Sequence, residues 1–241
     1  MEFAAFIIII LIASILQTST GFGFSILATP FLLLIFEPAE AIQINLILSL
    51  LISLALIAKV RKDVDIGVLK RFIVGSSLGL PVGMAVFLTI DLNSLKLIVS
   101  LLVLLLTFML MLKFRITRNN KRDLFVGGIS GSLTTSIGMP GPPILLYFSG
   151  TETNKETLRS TTLAFYLFIY SASLIIQVSF AGTNKTVWVS SLWAIPLVAA
   201  GLYLGQLLFT KINQQIFRVF TYIILLFTGS YLLLESVGGL P

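Results

Sequence analysis

Two stretches of this chain set short hydroxyls around glycine inside otherwise apolar runs. The first is Gln17-Thr18-Ser19-Thr20-Gly21-Phe22-Gly23-Phe24-Ser25, and the second is Thr134-Thr135-Ser136-Ile137-Gly138-Met139-Pro140-Gly141-Pro142-Pro143. Glycine frees φ and lets the main chain approach a ligand closely. Ser and Thr supply donors without charge. Where a helix restarts after each break, its first N–H groups point back at the break, and such a terminus favours an anion. In the second stretch Pro140, Pro142 and Pro143 forbid a continuous helix, and proline suits the first turn of a new one. The expected ligand set is therefore Gln17, Thr18, Ser19, Thr20, Gly21, Gly23 and Ser25 from the first break. Thr135, Ser136, Gly138, Pro140 and Gly141 form the expected set from the second.

Arg159 is the one cation that could join them, near the start of a long apolar segment. In one reading it snorkels to the membrane surface and pairs with Glu152 or Glu156. In the other it turns inward and takes an oxyanion by a two-pronged contact. Both readings stand at this level. Asn45, Thr161, Thr162 and Tyr166 are candidates to complete a polar lining. Glycine, serine and threonine also serve tight helix packing in membranes. Two hydroxyl-rich breaks in register favour a site over packing.

The elements that must position these residues are membrane helices. Of 241 residues, 57% are hydrophobic and only 11% charged. Residues 3–36, 160–184 and 186–210 carry no charge, and a spanning helix needs ~20 such residues. Eight apolar segments are expected: 3–36, 39–58, 68–90, 92–112, 124–150, 156–181, 187–210 and 213–234. Shifting the first four onto the last four places Gly23 on Gly138. One further residue of slip places Glu40 on Glu156, Gln43 on Arg159 and Asn45 on Thr161. The expected fold is an all-α polytopic membrane protein with two inverted repeats of four apolar segments. The first segment of each repeat is broken or hairpin-like. Residues 1–112 form the first repeat, 113–123 a basic linker and 124–241 the second repeat.

Segment 3–36 as one helix would measure ~51 Å, against a core of ~30 Å. It is either steeply kinked or folded back at Gly21–Gly23. The positive-inside rule favours the hairpin. With hairpins, fourteen Lys and Arg share one face and only Lys96 and Lys185 lie opposite. With single crossings the split is 11 to 5. Both termini then lie outside. The sequence starts Met1-Glu2-Phe3, without the basic residues of a signal peptide, so the first run reads as mature structure.

Several chemistries lack their residues. There is no cysteine and no histidine, which removes thiolate chemistry and the commonest proton shuttle. Glu37, Glu40, Asp91, Glu152, Glu156 and Glu235 all fall near segment ends. That argues against a buried carboxylate relay or cation pump. No phosphate-binding loop is present, and serine hydrolysis would lack a base. The chain reads as no enzyme, with no cofactor and no metal. Its net charge of +6 fits cytoplasmic loops rather than nucleic acid.

The first break followed by Pro30 resembles the sulfite exporter TauE/SafE family of anion permeases. So do Gly128-Ile129-Ser130-Gly131-Ser132 leading into Gly138–Tyr147, and Leu158-Arg159-Ser160-Thr161-Thr162-Leu163-Ala164-Phe165-Tyr166. The resemblance implies two related halves and transport of small sulfur-containing anions such as sulfite or organosulfonates. The expected function is a secondary transporter or facilitator for a small oxyanion, working as an exporter by alternating access around the two broken helices. A cation-coupled carrier of another small solute on the same architecture is the alternative. A membrane-embedded enzyme or structural subunit is a more distant one. The expected partners are a small anionic substrate, the lipid bilayer and a second copy of the chain as a homodimer. The expected location is the inner membrane of a bacterial or archaeal cell.

Overall fold

Backbone in hydrocarbon must satisfy its own hydrogen bonds, so long apolar runs fold as helices. The computed structural model describes residues 2–112, 115, 117–211 and 214–238. Among them are ten α-helices, one 3-10 turn and no strand. The helices are α1 (Glu2–Thr20), α2 (Phe24–Leu32), α3 (Pro38–Val60), α4 (Ile66–Thr89), α5 (Leu92–Met111), α6 (Asn120–Ile137), α7 (Gly141–Gly150), α8 (Lys155–Ala181), α9 (Lys185–Lys211) and α10 (Gln214–Gly238). Four segments, Pro38–Asp63, Ile66–Thr89, Lys155–Ala181 and Lys185–Lys211, are long and apolar enough to cross a bilayer. Shorter apolar helices flank them. This is an all-helical membrane architecture. Lys113 and Asn213, which bound the expected linker and last segment, lie outside the described residues, as does the side chain of Arg218.

Each expected apolar segment becomes a helix, and each expected break becomes a pair of helices. The starts follow local chemistry. Pro38 opens α3 behind a Glu37–Glu40 capping box. Asp65 accepts from the Val68 N–H at 3.0 Å to cap α4, and Asn154 accepts from Thr157 at 2.8 Å to cap α8.

The breaks reverse the chain. Phe6, early in α1, packs edge-on against Phe36, just past α2, with ring centroids 5.7 Å apart. The far end of α2 therefore returns to the side where α1 began. Beyond α7, Thr153 accepts from Arg118, which precedes α6, at 3.1 Å. Tyr147 of α7 lies beside Asp123 in the first turn of α6. The second broken segment thus also closes on its starting side. Contacts sort onto two faces. Asp65, Arg71, Arg118, Asp123 and Thr153 meet on one, where Arg71 pairs with Asp123 at 2.6 Å. On the other, Gln43 donates to the Gly182 carbonyl at 2.7 Å and Asn184 to Glu40 at 2.5 Å.

Glycine sets how the helices pack. A side chain on Gly79 of α4 would overlap the Gly128 carbonyl oxygen of α6, and Gly75 and Gly83 abut Leu124 and Ser132 in the same way. On α9, Gly201 and Gly205 lie against Ser14, Ile15 and Thr18 of α1. The spacing Gly75, Gly79, Gly83 is the small-residue repeat that lets membrane helices approach to backbone contact. α3 packs along α8 between these two pairs.

Gly79→Leu should separate α4 from α6 and cost about 3 kcal/mol or more, seen as a lower melting point or loss of monodisperse protein in detergent. Leu78→Ala, on a side chain 77% exposed toward lipid, should change little. Equal effects from the two would contradict the close packing.

Candidate functional site

A helix that stops inside the bilayer leaves carbonyl groups without partners. α1 stops at Thr20, and Gly21 follows with φ +86°. A Cβ on Gly21 would stand 2.7 Å from Cα of Arg159, so only glycine fits beside α8 here. The Arg159 side chain crosses to α1. Its Nε and Nη2 donate to the Thr18 carbonyl at 2.9 and 2.6 Å. Nη2 also donates to Gln206 Oε1 of α9 at 2.9 Å, and the guanidinium lies 4.1 Å from the Phe209 ring centroid. Arg159 is only 2% exposed. Among the described residues Glu152 pairs with Arg115 and Glu156 with Lys155, so the surface pairing with Arg159 is not formed. Burial of the guanidinium is compensated by oxygen acceptors and an aromatic face.

The second break is treated the same way from the other half. α6 ends at Ile137, and Gly138 follows with φ +75°. Asn45 of α3 donates to the Gly138 carbonyl at 2.8 Å. Gln177 of α8 donates to the Thr135 carbonyl at 2.5 Å. Gln17 of α1 in turn donates to the Ser49 carbonyl at 2.9 Å and to Ser53 at 3.2 Å.

The two new helices converge at their first turns. Ile26 of α2 lies 3.0 Å, and the Tyr166 hydroxyl 3.1 Å, from where a Cβ on Gly141 would stand. Tyr170 donates to Ser25 at 3.3 Å and packs against Tyr166 with centroids 4.7 Å apart. Neither α2 nor α7 has a side-chain cap at its N-terminus. The first residues of both helices, Phe24, Ser25 and Gly141, are buried. The Tyr166 hydroxyl is buried there beside Gly141, while the Thr18 side chain packs on Gly205 in the α1–α9 seam. On the basic face a polar cleft of about 550 Å³, lined by Lys62, Asp65, Arg118, Thr153 and Thr157, opens above the start of α8.

The expected residues divide by what they already bond. Ser19 and Thr20 donate back to the Leu16 carbonyl, at 3.1 and 2.6 Å. Thr135 and Ser136 do so to Gly131 and Ser132, at 3.2 and 2.8 Å. Thr161 faces the basic surface, accepting from the Asp65 N–H at 2.9 Å. Gly23 with φ +110° opens α2, and Pro140 opens α7 ahead of Gly141. Ser25, Tyr166 and Gly141 come together at the first turns of α2 and α7. Arg159 lies on the first break and Asn45 on the second. Thr18 turns into the α1–α9 seam, and Thr162 is buried on α8. Sequence reasoning missed Gln206, Phe209, Ser49, Tyr170, Ser173 and Gln177. A signal was available for most of them: Arg159, Thr162, Tyr166, Tyr170, Ser173 and Gln177 recur at three- and four-residue steps along α8. Asn45, Ser49 and Ser53 do so along α3. Such spacing is one helix face. All nine are buried. No group of three His, Cys, Asp or Glu among the described residues could hold a metal.

Arg159→Met should leave the Thr18 carbonyl bare and destabilise the protein by about 2–3 kcal/mol. Asn45→Leu should cost about 1–3 kcal/mol through the Gly138 carbonyl. Denaturant unfolding in detergent reads both, and an unchanged midpoint in Arg159→Met would remove its capping role.

The family model described as Sulfite exporter TauE/SafE matches residues 6–232. No curated protein and no solved structure matches the chain significantly. The family match spans both breaks, α8 and nearly all of the bundle, and the family is one of membrane transporters rather than enzymes. With its paired broken helices and its small-residue packing, the chain belongs to the sulfite exporter TauE/SafE family of integral membrane transport proteins.

Proposed function

We propose that the protein is a secondary transporter or facilitator that exports a small oxyanion, sulfite or an organosulfonate, by alternating access around the two broken helices. The observation that carries this reading is the convergence of the uncapped first turns of α2 and α7 beside the buried Tyr166 hydroxyl. Two helix N-termini brought together repel one another through their partial positive charges. An anion between them removes that repulsion and accepts their free N–H groups. Tyr166 holds a hydroxyl beside Gly141, ready to donate to a second oxygen. A sulfonate or sulfite presents three oxygens.

Arg159 lies at the first break with its fork on the Thr18 carbonyl. An arriving oxyanion competes with that carbonyl for the same N–H groups. In this reading, transfer of the fork from carbonyl to anion loosens the end of α1 and links binding to movement. The carbonyls of the two breaks are already capped by Arg159 and Asn45, which weighs against a sodium ion at those oxygens. The halves 1–112 and 124–241 supply the caps to one another, which is the arrangement two inverted repeats would produce.

Ligand-dependent thermal stabilisation tests the reading. Sulfite, thiosulfate and organosulfonates should raise the melting point in a concentration-dependent way, and neutral analogues should not. Tyr166→Phe should weaken the anion about tenfold, or ~1.4 kcal/mol, with the unliganded melting point preserved. Gly138→Val should abolish transport in proteoliposomes while the protein still inserts. Stabilisation by sodium or a neutral solute, with none by any anion, would overturn the proposal.

A further inference from the structure

Far from the breaks, one ionic pair is sealed inside the bundle. Lys96 of α5 donates to Glu235 of α10, and their side chains are only 8% and 9% exposed. The second carboxylate oxygen of Glu235 is buried with no partner. Sequence position alone set both residues near segment ends. Folding places them against each other on the face opposite the basic loops. Ionisable groups buried in a membrane bundle are costly to keep and usually serve ion or proton movement. Nothing in the anion site uses this pair.

The pair is tied to the broken helix by a short chain of rings. Tyr231 lies one turn before Glu235 on α10. Tyr231 stacks on Phe31 of α2 with centroids 4.9 Å apart, and Phe227 stacks on the same ring at 6.1 Å. α2 is the helix whose first turn borders the anion space. Among the described residues, the titratable groups facing Glu235 are Lys96 from α5 and Tyr231 from its own helix, and α2 presents Phe31, which does not titrate.

We propose that Glu235 is a proton-binding coupling site for the transport described above, released and re-formed as an ion pair with Lys96. A proton on the carboxylate dissolves the pair and leaves Lys96 a buried, unpaired cation. Lys96 stands one turn from the start of α5 and can carry its ammonium out to the membrane surface. α10 is then free to shift against α5. The Phe227–Tyr231–Phe31 stack passes that shift to α2 and so to the anion space. Loss of the proton draws Lys96 back and restores the closed packing. The proton is the coupled species, and its path opens on the face away from the basic loops. This inference rests on the anion-transport reading for its consequence, but proton binding itself does not.

Two measurements separate the parts. Infrared difference spectroscopy of the purified protein, acidified without any anion, should show a protonated-carboxyl band that Glu235→Gln removes. Failure of the band to depend on Glu235 overturns the proton site whatever the substrate is. The second measurement is uptake of methanesulfonate, which has no titratable group in the working range, into proteoliposomes with and without an imposed pH gradient. The wild type should respond several-fold to the gradient. The double variant Lys96→Met with Glu235→Leu replaces the pair by apolar volume and should fold, since a buried pair can be so replaced without loss. It should transport methanesulfonate with no response to the gradient. A double variant that still follows the gradient overturns the coupling role, and a wild type that ignores the gradient does the same. Transport of no anion by the wild type, with the carboxyl band present, overturns the anion reading and leaves the proton site standing.

Discussion

A helix that ends inside a bilayer must find partners for its last carbonyl groups, because no water is there to take them. Each such group left bare costs several kcal/mol. This chain ends two helices at depth, at Thr20 and Ile137. Arg159 covers the Thr18 carbonyl and Asn45 covers the Gly138 carbonyl. These two caps come from the opposite half of the sequence, while Gln177 covers the Thr135 carbonyl from within its own half. The first broken helix is completed by α8, and the second by α3. The central α3–α8 contact is therefore more than packing, since it carries the side chains without which neither break is tolerable.

The glycine contacts act in the same sense. α6 lies on α4, and α1 lies on α9, at backbone distance. These pairings also join one half to the other. A rearrangement that opens the site must either carry α1 with α9 and α6 with α4, or break contacts that glycine alone permits. The two halves of the chain are interleaved, so a rocking unit defined by sequence halves would have to tear both seams. A moving unit defined by these packed pairs would keep them intact.

Charged pairs are kept to the two faces of the bundle. The deepest fully buried cation is committed to a carbonyl, and carboxylates stay away from the breaks. Asp123 meets Arg71 on the basic face and Glu235 meets Lys96 on the other. At the first turns of α2 and α7 the neighbouring polar side chains are the uncharged hydroxyls of Ser25, Tyr166 and Tyr170.

The fold class was legible in the sequence because the bilayer leaves a long apolar run one option, the helix. Both breaks were legible as glycine among clustered hydroxyls, joined at the second by three prolines within four residues, whereas isolated glycines and prolines such as Gly79, Pro81 and Pro196 stay inside helices. The hydroxyls of Ser19, Thr20, Thr135 and Ser136 were legible as residues, but their direction was not, since a hydroxyl on a membrane helix can bond its own preceding turn. Arg159 was visible, yet its partners Gln206 and Phe209 lie about fifty residues on, and nothing local announces them. The same holds for Lys96 and Glu235, 139 positions apart. Local geometry depends on neighbours in sequence and can be read from them. Which buried donor meets which buried acceptor depends on how ten helices pack, and only the tertiary structure decides it.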